Sequence, residues 1–262
     1  MITRLFMLAV FGLFSVVSNA AMNKQEITYQ HDGVELRGYL FWDDAFEGKR
    51  PAVLVFHEWW GLNDYALLRA EMLAESGYVA FAADMYGDGK QTRHADDAKG
   101  WMQQITGNVD VWRARAELAL QQMQAHEKVD KSKTAAVGYC FGGATVMQLA
   151  YTGTDIKGVI SVHGSLPPAS AEQAGKVKSR VLVLHGGSDG FIPKERIEKF
   201  STALTDAALD WEMVTYGGAV HGFSNPYADG YGINGVAYNE KAEQRSWQRS
   251  LDFLEDLFAS DH

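Results

Sequence analysis

The chain has 262 residues, 47% of them hydrophobic and 22% charged, a composition with room for a well-buried core and no bias toward disorder. Its net charge of −9 argues against nucleic acid or an anionic membrane surface as a partner. A single cysteine, Cys140, excludes an internal disulfide.

Arg4 opens a short positive region, and Leu5 to Val17 is an uncharged apolar run. Ser18-Asn19-Ala20 then places small residues at the −3 and −1 positions of a cleavage site. This layout predicts a secretory signal peptide over residues 1–20, cut after Ala20 or Ala21. The alternative is an uncleaved anchor, but the run is short for a span of about 20 residues. No cysteine follows it to mark a lipoprotein. The expected product is an exported protein, periplasmic in a bacterium, without stable membrane association after cleavage. Residues 21–262 are read as one domain. In an oxidising compartment a free thiol is a liability unless it is used or deeply buried.

"EITYQHDGVELRGYLFWD" alternates apolar and polar residues around Asp32-Gly33, which predicts a β-hairpin. "PAVLVFHE" is a fully apolar run of the type buried on both faces of a sheet. "NDYALLRAEMLAESG" has helical spacing, a polar cap and a closing Gly77. "YVAFAADM" reads as a strand, and two helices follow over residues 95–104 and 109–125. Next come "KTAAVGY" (strand), "GGATVMQLAY" (helix), "IKGVISVHG" (strand) and "RVLVLHGGSD" (strand). "PKERIEKFSTALTDA" (helix), "LDWEMVTYG" (strand) and "NEKAEQRSWQRSLDFLEDLFAS" (helix) complete the chain. Alternating strands and helices imply a mostly parallel sheet covered on both faces. Active groups then gather beyond the carboxyl ends of the strands.

Gly138-Tyr139-Cys140-Phe141-Gly142 fits G-x-nucleophile-x-G between a strand and a helix, with cysteine at the centre. The glycines permit a turn too sharp for side chains at their positions, and the following helix offers free N–H groups and its positive dipole end. A thiol nucleophile needs a base and a group to orient that base. Asp189 in "GGSDGFIP" and His221 in "GGAVHGF" both follow strands, in the chain order nucleophile, acid, histidine. The loop after "PAVLVFHE" lies where a second oxyanion donor belongs, so the backbone N–H groups of Trp59 and Phe141 are the predicted oxyanion hole. Glu58 is then expected close to the sulfur. Trp60, Phe191 and Phe223 are candidate pocket walls. His57, His163 and His185, all at strand ends, read as packing or loop hydrogen bonding. His57-Glu58 lacks the second histidine of H-E-x-x-H, so no zinc site is expected.

"FHEWWGLND", "ADMYG", "GYCFGG", "GGSDGFIP" and "HGF" with its following long helix resemble the dienelactone hydrolase family, over most of the chain from about Thr28 onward. The resemblance implies an α/β-hydrolase fold, a Cys-His-Asp triad of Cys140, His221 and Asp189, no cofactor, and hydrolysis of small-molecule esters or lactones through a thioester. It also implies that Glu58 helps to hold the resting cysteine. The founding members bind a substrate carboxylate with two arginines, and the matching positions here are Asp88 and Asn225. Neutral esters or lactones are therefore the expected substrates, unless Lys90, Arg93 or His94 turns inward. A thiol peptidase on the same fold and a binding protein that merely kept the fold are the competing readings.

Overall fold

The structure, a computed structural model, describes residues 21–259. The expected signal peptide lies outside the described residues. β1 (Met22–His31) and β2 (Val34–Asp43) form the expected hairpin, with His31 opposite Val34. Both turn residues have positive φ, 50° at Asp32 and 78° at Gly33, as a two-residue turn matched to the strand twist requires.

β3 (Arg50–Phe56), α1 (Asp64–Glu75), β4 (Val79–Ala83), α2 (Ala95–Thr106), α3 (Val109–Ala125) and β5 (Val129–Tyr139) follow. α4 (Phe141–Tyr151), β6 (Gly158–Val162), α5 (Ala171–Ala174), β7 (Arg180–Gly186), α6 (Lys194–Asp206), β8 (Trp211–Tyr216) and α7 (Glu240–Ala259) complete the order. The eight strands make one sheet, β1-β2-β4-β3-β5-β6-β7-β8. β1 and β2 join antiparallel, and the strands from β4 to β8 run parallel.

The alternation of side chains along each buried strand divides the core into two layers. Leu54, Phe56, Ala136 and Val159 pack toward α3, α4 and α6. Val53, Val55, Val137 and Ile160 pack toward α1 and α7. The fold is thus the α/β-hydrolase architecture. Two short pieces went unread in the sequence: α5, a single capped turn closed by Ser170 and Gln173, and a 3₁₀ turn at Ala228–Tyr231. Each is too short to show a period.

Candidate active site

β5 ends in the turn that carries Cys140, and α4 begins at Phe141. Cys140 has φ 54° and ψ −110°. For a residue with a Cβ this conformation costs on the order of 1–3 kcal/mol. The flanking glycines show why the turn tolerates nothing larger. A Cβ at Gly138 would lie 1.9 Å from the Gly142 carbonyl oxygen, and one at Gly142 would lie 2.3 Å from that of Phe56. The Cys140 N–H donates to Val162 O at 3.0 Å and to His163 Nδ1 at 3.1 Å. The thiol itself is half-buried.

Asp189 and His221 come together from the ends of β7 and β8. Asp189 Oδ2 lies 2.8 Å from His221 Nδ1, and the carboxylate is fully shielded from solvent. Its other oxygen accepts the Phe191 N–H at 2.9 Å, which fixes the plane of the carboxylate. Burial works against charge on the His221 ring, but Cys140 and Asp189 outweigh it and raise its proton affinity well above the usual histidine range. The arrangement can therefore take a proton from a thiol and hold it on an oriented imidazole. Phe141 is the first residue of α4, so its N–H belongs to the donors left free by the helix. Trp59 lies in the turn after β3, and its carbonyl accepts the Tyr86 hydroxyl at 3.0 Å.

Glu58 has a buried hydrogen-bond partner that its sequence context does not announce. Its Oε2 accepts from Asn225 Nδ2 at 2.6 Å, and both residues are buried. Asn225 Oδ1 accepts the Tyr227 N–H at 2.8 Å, so the amide is oriented with its N–H₂ toward the carboxylate. That partner is a loop amide 167 residues away. Burial pushes the Glu58 carboxyl up to about 7, while Asn225, His221 and Arg69 each act to lower it.

This shift has a definite sign. Between the usual carboxylate range and about pH 7 the folded chain holds a proton at Glu58 that the unfolded chain releases. Stability therefore falls as pH rises through that window. Glu58→Gln keeps an acceptor for Asn225 and removes the titration. Its denaturation midpoint should rise relative to the parent between pH 5 and 8, and the rate of Cys140 alkylation against pH should lose an inflection near pH 7. A constant difference in midpoint and an identical alkylation profile would reduce Glu58 to a loop residue.

The candidate pocket walls divide. Phe191 is exposed at the rim, with its ring centroid 5.3 Å from that of His221. Phe223 is not a wall. It is fully buried against His163 and Tyr216, because the turn after His221 directs it back into the layer under α7. Trp60 is also buried, stacked on Tyr231 at 4.1 Å and 13°. On the arginine question, Asp88 pairs with Lys90 at 3.1 Å, and Asn225 is committed to Glu58. Arg93 and His94 line a cleft of about 530 Å³ with Asn63, Gln91, Tyr227 and Tyr231.

His57 and His185 are buried, and His57 behaves as loop hydrogen bonding predicts. It accepts from Met85 N–H at Nε2 and meets the Glu58 carbonyl at Nδ1. His163 does more, since it lies beneath the elbow and continues to Ser224. The sequence alone reads His163 only as packing or loop hydrogen bonding, and it does not single out Ser224 or Tyr231. The available signal for His163 was its place at the end of β6, the strand beside β5.

A thiol on a glycine-flanked strand-to-helix turn, with an aspartate-bound histidine at neighbouring strand ends, defines an α/β-hydrolase. The match to the dienelactone hydrolase family model spans residues 36–258, and the chain belongs to that family. A Yersinia pestis relative, provisionally named a carboxymethylenebutenolidase, is 28% identical over 244 residues, covering 87% of this chain and 86% of the relative. A similarly named Saccharolobus solfataricus relative is 28% identical over 265 residues, covering 88% of this chain and 98% of its own. Among solved structures, the dienelactone hydrolase-like promiscuous phosphotriesterase from metagenomic libraries matches with TM-score 0.88 and 39% identity. That match covers 90% of this chain and 99% of the other. Family membership makes the protein a carboxylic ester hydrolase acting on small molecules.

Proposed function

We propose that the protein hydrolyses small, neutral carboxylic esters and lactones through an acyl-thioester on Cys140. The observation that carries this reading is the 2.8 Å pair of Asp189 and His221 set beside a cysteine held at φ 54° on the elbow. In the first half-reaction His221 takes the thiol proton as Sγ attacks the substrate carbonyl carbon. The tetrahedral oxyanion accepts the N–H groups of Phe141 and Trp59. The intermediate then collapses, and the alkoxide leaves with the proton from His221. In the second, His221 takes a proton from water as the hydroxide attacks the thioester. The acid departs and the thiol is restored by return of the proton. Asp189 holds the ring with Nδ1–H toward itself throughout.

A panel of p-nitrophenyl esters, thioesters and peptide anilides, with and without iodoacetamide, tests this reading. Ester and thioester turnover that iodoacetamide abolishes, with an acyl adduct on Cys140 by mass spectrometry, is the expected result. Anilide turnover of equal rate would favour a thiol peptidase, and no turnover would favour a binding protein. A neutral phosphotriester belongs in the panel because of the phosphotriesterase relative.

Substrate charge gives a further expectation. A carboxylate entering this site finds Asn225 already committed and Asp88 paired, so no guanidinium fork replaces its lost hydration. A neutral lactone should therefore exceed its carboxylate-bearing analogue in kcat/KM. A salt-sensitive preference for the anion, removed by Arg93→Ala, would overturn this and make the cleft at Arg93 the anion site. Export to the periplasm is part of the same proposal, supported by the layout of residues 1–20. Fractionation of cells expressing the full chain tests it.

A further inference from the structure

His163 is a buried imidazole, beneath the elbow, that the mechanism above leaves unused. It is fully buried at the end of β6, with the uncommon φ of 39°. Its Nδ1 accepts the Cys140 N–H at 3.1 Å, so the proton of the neutral ring lies on Nε2. Nε2 lies 2.8 Å from Ser224 Oγ, which lies 2.6 Å from the Tyr65 hydroxyl. Arg69 donates to the Ser224 carbonyl at 2.6 Å and to Glu243 at 2.8 Å, and its Nε reaches the Tyr65 hydroxyl at 3.4 Å. One continuous buried chain thus runs from the nucleophile's own N–H to α1 and α7.

We infer that His163 is a positioning residue for the nucleophile, holding the Cys140 N–H from below in a tautomer that Ser224 fixes. The inference rests on Cys140 being the nucleophile. Three features separate this role from ordinary packing. The Cys140 N–H already has a strand partner in Val162 O, so burying an imidazole there is not needed to satisfy the backbone. The His163 ring stands edge-on to His221 with centroids 5.3 Å apart, so a second charge there would oppose the imidazolium of the reaction. A ring that accepts at Nδ1 cannot take that proton without breaking its bond to Cys140. Burial, followed by the neighbouring His221, also drives its proton affinity well below the ordinary histidine range. His163 thereby braces the strained elbow and leaves proton transfer to His221 alone.

The experiment compares His163→Leu, His163→Asn and Ser224→Ala, with Cys140→Ala as a reference. Asparagine tolerates positive φ and offers an acceptor to the Cys140 N–H, whereas leucine offers none. The expected result is a loss in kcat of about tenfold or more in His163→Leu with KM nearly unchanged, as for a displaced reacting group. His163→Asn should recover most of that loss, and Ser224→Ala should fall between. The rate of Cys140 alkylation by iodoacetamide should follow the same order. Equal kcat and alkylation rates in the leucine and asparagine variants would overturn the inference. If His163→Leu does not fold, Ser224→Ala decides, and parental kcat and alkylation rate there would reject it. Parental behaviour of these variants beside an inactive Cys140→Ala rejects the positioning role alone. Activity retained by Cys140→Ala rejects the nucleophile reading instead, and the alkylation order then still decides the placement of His163.

Discussion

Cys140→Ala should leave less than about one per cent of parental esterase turnover, since loss of a triad nucleophile ordinarily costs several orders of magnitude. The elbow offers no substitute. Tyr139 and Phe141 on either side of Cys140 are buried, and the glycines beyond them carry no side chain. The variant should fold. Alanine retains the Cβ that Cys140 already carries at φ 54°, and the thiol is only half-buried, so little packing is lost. The measurement is steady-state turnover of a p-nitrophenyl ester beside a thermal melt. Loss of turnover with a parental melting temperature is the expected outcome. Turnover above about one per cent in a folded variant would move the nucleophile elsewhere and remove the thioester from the mechanism. Cys140→Ser provides a finer comparison. Its hydroxyl would stand on the same elbow, but it is a weaker nucleophile that depends wholly on His221 for activation. It should therefore remain far below the parent.

The elbow was legible in the sequence because its glycines are a steric requirement. Contacts of 1.9 Å and 2.3 Å for an added Cβ mean that no other residue fits at Gly138 or Gly142 without rebuilding the turn. The placement of Asp189 and His221 was legible for a topological reason. In a parallel sheet all carboxyl ends lie on one edge, so two residues that follow successive strands are brought side by side without any knowledge of the loops. What escaped was decided by loop contacts that have no local code. The bond between Glu58 and Asn225 arises because the loop after β8 folds back over the loop after β3. Trp60 is taken out of the pocket by Tyr231, which arrives on the unread 3₁₀ turn. Phe223 shares the aromatic character of a pocket residue, and only the direction of its turn sends it to the core. His163 was legible as buried but not as linked, since its partners Cys140, Ser224 and Tyr65 lie on three different segments.

Asp189→Asn should lower kcat by roughly 10³–10⁴-fold, and it should do so by a change of tautomer rather than of shape. Asp189 Oδ2 accepts the proton on His221 Nδ1, which leaves Nε2 free to receive the thiol proton. An asparagine that turns its N–H₂ to the ring forces the proton onto Nε2, where it faces the sulfur and blocks transfer. Asparagine also withdraws one of the two groups that raise the proton affinity of His221, so the imidazolium of the intermediate is less stabilised. His221→Ala should cost at least as much, because it removes the base itself. The decisive measurement is the set of double variants. Combined with Cys140→Ala, neither Asp189→Asn nor His221→Ala should reduce the residual rate appreciably further, since in the proposed mechanism the three residues act as one unit and the first loss already removes their shared step. Rates that fall multiplicatively in the double variants would mean that Asp189 and His221 serve a different step from Cys140. The 2.8 Å contact would then be an ion pair of the loop framework rather than the orienting half of a triad.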